Sequence, residues 1–143
     1  MKKSTLIAAL LLVATISFGQ CDQDVTLTAS KTTYLNGSGA VEREEDEQSI
    51  IEINKSQITI TPGNADHKMV GKIESTTCNW TSAYQEGNTV IKAVFDGPSG
   101  AQMHATMTTE GKAGKITFLM EIVEMPDKKI FVNIDSFQES KKN

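Results

Sequence analysis

The chain has 143 residues, with 14 Lys or Arg against 18 Asp or Glu and a formal charge of −4. An acidic balance leaves no electrostatic footprint for nucleic acid or for an anionic membrane surface. Hydrophobic residues make up 38% of the chain and are spread along it, which excludes a disordered polymer and fits one globular domain.

The first element is an export signal. Met1-Lys2-Lys3 is followed by an apolar run from Leu6 to Ile16 and by Ser17-Phe18-Gly19. A charged start, a short apolar core and small residues before the cut predict cleavage after Gly19. The run is too short for a permanent membrane helix, which needs roughly twenty apolar residues, and no later stretch predicts a transmembrane segment. The expected organisation is a signal peptide over 1–19, a β domain over 20–137 and a polar tail over 138–143. Losing Lys2 and Lys3 leaves 12 basic residues against 18 acidic ones, a charge of −6. The expected location is periplasmic or extracellular. Gln20, exposed by that cut, can cyclise to pyroglutamate.

Cys21 and Cys78 are the two cysteines. In an exported chain they predict one bridge, across a sequence separation of 57. A loop of that length predicts a stabilisation of ~4 kcal/mol in the chain-entropy model. A lipid anchor on Cys21 is the alternative, and it excludes the bridge. Gln20 and Phe18 suit a lipoprotein signal poorly. A redox thiol pair lacks the Cys-x-x-Cys spacing.

The rest of the chain alternates with period two. The predicted strands, in order, are 24–30, 32–35, 40–44, 48–54, 56–61, 68–76, 88–95, 101–109, 115–124 and 129–137, with the second and third weak and open to merging. Met103, Ala105 and Met107 against Gln102, His104 and Thr106 give the clearest alternation. Such a pattern is that of half-buried antiparallel strands. Turn signals separate them: Asn36-Gly37-Ser38-Gly39, Thr61-Pro62-Gly63-Asn64, Gln85-Glu86-Gly87-Asn88, Gly97-Pro98-Ser99-Gly100, Glu110-Gly111-Lys112-Ala113-Gly114 and Met125-Pro126-Asp127-Lys128. The expected fold is all-β. A single, mostly meandering antiparallel sheet of eight or nine strands closes into a barrel or forms an open sandwich.

The chemistry-bearing residues are sparse. The run Glu42-Arg43-Glu44-Glu45-Asp46-Glu47 lacks the spacing and turn glycine of a calcium loop and reads as a solvated hairpin tip or charged strand edge. His67, His104 and Asp66 are the best metal ligands on offer, too few and too scattered to predict a metal site. No Gly-x-Ser-x-Gly or His-Glu-x-x-His is present, so no enzyme is predicted and no cofactor is called for. Three Asn-x-Ser/Thr sequons stand at Asn36, Asn54 and Asn79, chance matches if the host is bacterial, as the signal suggests.

Two features carry the functional expectation. Met69, Met103, Met107 and Met120 fall on inward faces, with Ile91, Ala93 and Phe118 beside them. These seven residues are the candidate lining of an apolar cavity, and Met as core filler is the competing reading. Trp80 and Tyr84 lie in a stretch without clean alternation, as an interaction anchor or as a plug closing one barrel end beside the bridge.

The chain resembles small exported lipocalin-like β-barrel domains of Bacteroidota. The likeness rests on the Phe18-Gly19-Gln20 signal end and on Tyr34-Leu35-Asn36-Gly37-Ser38-Gly39 after the first strand. It extends to Glu110-Gly111-Lys112-Ala113-Gly114-Lys115-Ile116 and Met125-Pro126-Asp127-Lys128-Lys129-Ile130 in the final hairpins. Lipocalins proper carry Gly-x-Trp on the first strand, whereas the single Trp here is Trp80. The resemblance implies a non-catalytic module that binds a small apolar ligand. The alternative is a solid-cored module that docks on an extracellular or periplasmic protein partner through Trp80, Tyr84 and the 42–47 hairpin.

Overall fold

The computed structural model describes residues 20–141 except 64 and 98. The expected signal peptide, and the Asn64 and Pro98 turn positions, lie outside the described residues. A 3₁₀ turn over Gln20–Asp22 opens the described chain. The strands that follow are β1 (Val25–Asn36), β2 (Val41–Ile53), β3 (Gln57–Thr61), β4 (Met69–Ser82), β5 (Glu86–Asp96), β6 (Gln102–Lys112), β7 (Lys115–Ile122), β8 (Lys128–Ile134) and β9 (Ser136–Glu139). A second 3₁₀ turn, Ala65–His67, sits between β3 and β4.

Every strand from β1 to β8 pairs antiparallel with the next, and β8 returns to pair with β1. Eight strands therefore form a closed up-and-down barrel, and β9 is one more strand laid along β1. The fold is all-β, and barrel rather than open sandwich is the closure it takes. β9 follows β8 after Asp135, whose N–H donates to the Thr28 carbonyl at 2.8 Å.

Alternation places Leu27, Ile51, Ile58, Ile91, Met107 and Phe118 inside, each no more than 2% exposed. Glu52, Lys72, Lys92 and Asn133 face outward. Apolar in and charged out is the reverse of a barrel whose outer face meets lipid. No helix among the described residues is long and apolar enough to cross a membrane.

Expected and observed strands differ where the alternation slips. The predicted 24–30 and 32–35 are one strand, β1. Ser30 and Lys31 are both exposed, Thr32 resumes the inner row, and the register against β2 shifts between Ala29 and Lys31. The predicted 40–44 and 48–54 are likewise one strand, β2. A bulge breaks the phase of the pattern without ending the strand. Gln138 and Glu139, placed in the polar tail from sequence, belong to β9. Ser140 is tied down as well, its N–H donating to the Asp24 carbonyl at 2.8 Å and its hydroxyl meeting that of Thr26 at 2.7 Å.

Side-chain carbonyls shape two hairpins. Asn36 Oδ1 accepts from the Ser38 and Ala40 N–H groups at 3.0 and 2.9 Å, and Gly39 takes φ +87°. Asn54 Oδ1 accepts from Ser56 N–H and Gln57 N–H at 2.9 and 2.8 Å, closing the β2–β3 turn.

Candidate functional site: a recess at one barrel end

The strands alternate in direction, so the 3₁₀ turn at Gln20 and the β2–β3, β4–β5 and β6–β7 connections all lie at one end of the barrel. At this end β4 overruns its neighbour. Its pairing with β3 stops at Lys72, opposite Gln57, while β4 continues to Ser82 against β5. The overhang carries Trp80 and Tyr84 onto Phe137 of β9. Both contacts are edge-to-face, with ring centroids 5.5 and 4.9 Å apart. Trp80 lies within β4, not in the loop its broken alternation suggests.

Hydrogen bonds fix this cap. Trp80 Nε1 donates to Thr89 Oγ1 at 2.8 Å, and the Thr89 hydroxyl reaches Cys78 Sγ at 3.4 Å. Cys78 is bonded to Cys21, with Cα atoms 5.9 Å apart, so the 3₁₀ turn is stitched to β4. Such a pair fits an oxidising compartment. Gln20 Oε1 accepts from the Tyr84 backbone N–H. The Tyr84 hydroxyl donates to Gln23 Oε1 at 3.2 Å. Burial of the Tyr84 ring, with the Glu139 carboxylate nearby, raises its phenol above the ordinary tyrosine value.

Between the 3₁₀ turn, the β2–β3 connection and β4 lies a recess of about 260 Å³. Val25, Ile53, Ile91 and Phe137 give it apolar walls, and Thr76, Thr89 and Thr109 add hydroxyls. Thr109 is 2% exposed. Its position follows from the inner row of β6, where Met103, Ala105 and Met107 precede it at alternate residues. Thr109 Oγ1 makes no hydrogen bond among the described residues and stays accessible from the recess. The ionisable side chains on the lining are Asp22 and Lys55, both exposed at the rim.

The seven residues expected to line a cavity are placed otherwise. Ile91, Ala93, Met107, Phe118 and Met120 belong to the packed core, and Met69 and Met103 are partly buried against it. Ile91 alone of the seven reaches the recess. Met120 also floors a cleft of about 210 Å³ at the opposite end, beside Tyr34, Arg43 and Ile130. The lining residues that sequence reading missed are Val25, Ile53, Thr109 and Phe137. A threonine in an otherwise apolar inner row was the available signal.

The acidic run occupies β2 and leads toward that opposite end, so the structure does not bring it together with Trp80 and Tyr84. Its charges are partnered locally. Lys31 Nζ meets Glu44 Oε2 at 3.6 Å, Arg43 Nε meets Glu45 Oε1 at 3.3 Å, and the Arg43 guanidinium lies 4.1 Å from the Tyr34 ring centroid. The Tyr34 hydroxyl donates to Glu47 Oε1 at 3.3 Å. Burial of Tyr34 raises its phenol, against the lowering effect of Arg43.

His104 faces solvent on the outer surface, its Nδ1 2.8 Å from Glu124 Oε1. The His104 backbone N–H also donates to that carboxylate, and the two bonds hold Glu124 below the usual carboxylate range. Among the described residues no three His, Cys, Asp or Glu side chains converge as a metal site.

The sequence matches no protein-family model, and no curated protein and no solved structure matches it significantly.

Proposed function

We propose that this is an exported, non-catalytic binding protein whose end recess holds a small apolar molecule carrying one hydrogen-bonding group. One observation carries the reading: Thr109 brings a hydroxyl, accessible from the recess, to walls made by Val25, Ile53, Ile91 and Phe137. A hydroxyl presented among apolar walls favours an apolar ligand with one matching polar atom. The volume of about 260 Å³ suits a molecule of one or two rings or a short acyl chain. Supporting the non-catalytic part, the two ionisable side chains on the lining stand at the solvent rim, and its cysteines are bonded to each other. Trp80 and Tyr84 pack on Phe137 to close the end of the barrel, which favours this reading over an aromatic docking anchor. Export is supported by the signal-like start and the bridge.

The test uses 1-naphthylamine, a neutral two-ring apolar dye with one amino group. The oxidised native protein gives a saturable rise in dye emission with one site per chain. Thr109→Val keeps the shape, removes the acceptor and weakens binding by ~1 kcal/mol, or roughly fivefold. Ile53→Phe fills the recess and removes binding while leaving Trp80 emission native-like. A native protein that shows no saturable dye binding overturns the proposal.

A further inference from the structure

We infer that the Cys21–Cys78 bridge is a redox latch on the end recess, an inference that rests on the recess holding a ligand. Oxidised, the bridge holds the wall that retains the ligand. A dithiol reductant releases that wall and leaves the barrel folded.

The wall and the barrel are built separately. Gln20, Cys21, Asp22 and Gln23 make one side of the recess, and Ile53, Thr76 and Cys78 stand across from them on β2 and β4. The ring of hydrogen-bonded strands closes from β8 to β1 and takes up the chain at Val25, so residues 20–23 stand outside it. Inside the turn, the Gln23 N–H donates to the Gln20 carbonyl at 3.1 Å. The turn's other ties among the described residues are the bridge and the bonds that Gln20 and Gln23 accept from Tyr84. The bond from the Tyr84 hydroxyl is exposed to water. Fixing the backbone of one residue costs more than such a bond returns, so the two glutamine contacts do not hold the turn by themselves.

The latch is within reach of a reductant. Cys21 is exposed and Cys78 is half-buried. Both cysteines line the recess, as does Thr89, whose hydroxyl lies 3.4 Å from Cys78 Sγ, so the bridge is itself part of the wall. A thiolate of the dithiol attacks the Cys21 sulfur, the S–S bond breaks, and Cys78 leaves as a thiolate. The second sulfur of the reductant then displaces Cys21. Two electrons and two protons pass to the protein, which ends with two thiols, and the reductant leaves as a disulfide. The freed turn no longer covers the gap beside β4, and the recess becomes an open groove. The coupling is reciprocal. A ligand that binds the oxidised form more tightly makes the bridge harder to reduce by the same factor.

Titration with 1-naphthylamine before and after reduction by dithiothreitol tests this, with amide hydrogen exchange alongside. Reduction is expected to weaken dye binding by about tenfold and to speed exchange at the Tyr84 amide, while the far-ultraviolet dichroism and a cooperative urea transition persist. Saturating dye lowers the equilibrium constant for reduction by the same factor. Cys21→Ser with Cys78→Ser binds the dye as weakly as the reduced protein, with or without dithiothreitol. Reduced protein that binds the dye as tightly as the oxidised protein overturns the latch alone and leaves the ligand site standing. Oxidised protein that binds no dye overturns the ligand site, and the latch with it. Reduction that abolishes the urea transition also overturns the latch, because the bridge then fastens the whole barrel. So does a Tyr84 amide whose exchange is unchanged by reduction, a measurement that needs neither dye nor variant.

Discussion

Trp80 has room because two positions beneath it carry no side chain. It pairs across β4 and β5 with Gly87, Gly87 pairs with Gly111 of β6, and Gly111 pairs with Ile116 of β7. A Cβ on Gly111 would lie 2.7 Å from Trp80 Cζ3 and 2.9 Å from both the Gln85 carbonyl oxygen and Ile116 Cδ1. No rigid wall of that kind moves without cost, and overpacking typically destabilises by about 1–3 kcal/mol. Gly111→Ala therefore lowers the unfolding free energy measured in urea by that amount and shifts Trp80 emission, because the ring has to leave its seat. Unchanged stability and emission would show that the ring does not depend on this gap. The sequence was misleading at these glycines. In the patterns Glu86-Gly87-Asn88 and Glu110-Gly111-Lys112 they look like turn residues, yet they lie inside β5 and β6. The left-handed turn positions are Tyr84 at φ +59° and Ala113 at φ +50°, with Gly114 at +81°. A glycine that makes space for a ring and a glycine that makes a turn are identical on paper.

The 3₁₀ turn over Gln20–Asp22 has too few residues to be stable by itself, so what fixes it is tertiary. Cys21–Cys78 ties it to β4, and Gln20 and Gln23 hydrogen-bond Tyr84. Cross-linking a separation of 57 residues removes unfolded-state freedom equivalent to ~4 kcal/mol, an upper figure. The double variant Cys21→Ser, Cys78→Ser is expected to lose about 2–4 kcal/mol in urea unfolding, and native protein held in excess dithiol should match it. Equal stability of the native protein with and without dithiol would mean that the bridge contributes nothing. At this scale the pairing was legible because two cysteines permit one intramolecular bridge. The strand breaks were less so. Ser30 and Lys31 both face out, which resets the alternation of β1 midway and makes one strand look like two. β4 looked shorter than it is because its overhang, free of the barrel on one side, has no inner face to impose alternation beyond Cys78 and Trp80.

Closure decides what the whole molecule tolerates. β1 is held on one side by β2, its neighbour in sequence, and on the other by β8 and β9 from the far end of the chain. The period-two pattern and the turn spacing made an all-β meander legible. They did not distinguish a barrel from an open sandwich, because closure depends on which distant strand meets β1, and alternation is silent about that. The recess was illegible for the same reason: Val25, Ile53, Thr109 and Phe137 come from four strands that only closure brings together. The seam makes the C-terminal boundary measurable. Ending the chain after Ser140 keeps the Ser140 bonds to Asp24 and Thr26 and all of β9, and the urea midpoint should stay within error of the full chain. Ending it after Phe137 removes the Gln138 and Glu139 pairings and both Ser140 bonds. At ~1 kcal/mol per net hydrogen bond, discounted for their exposure to water, this costs about 1–3 kcal/mol. Ending it before Lys128 removes β8 as well, uncovering Phe118 and Met120 and leaving both β1 and β7 with an open edge. That chain should lose its cooperative urea transition and its near-ultraviolet dichroism from Trp80, because no alternative strand is available to close the barrel. A cooperative transition retained by that shortest chain would show that the sheet is stable open, and that the seam between β1 and β8 is not what holds the molecule together.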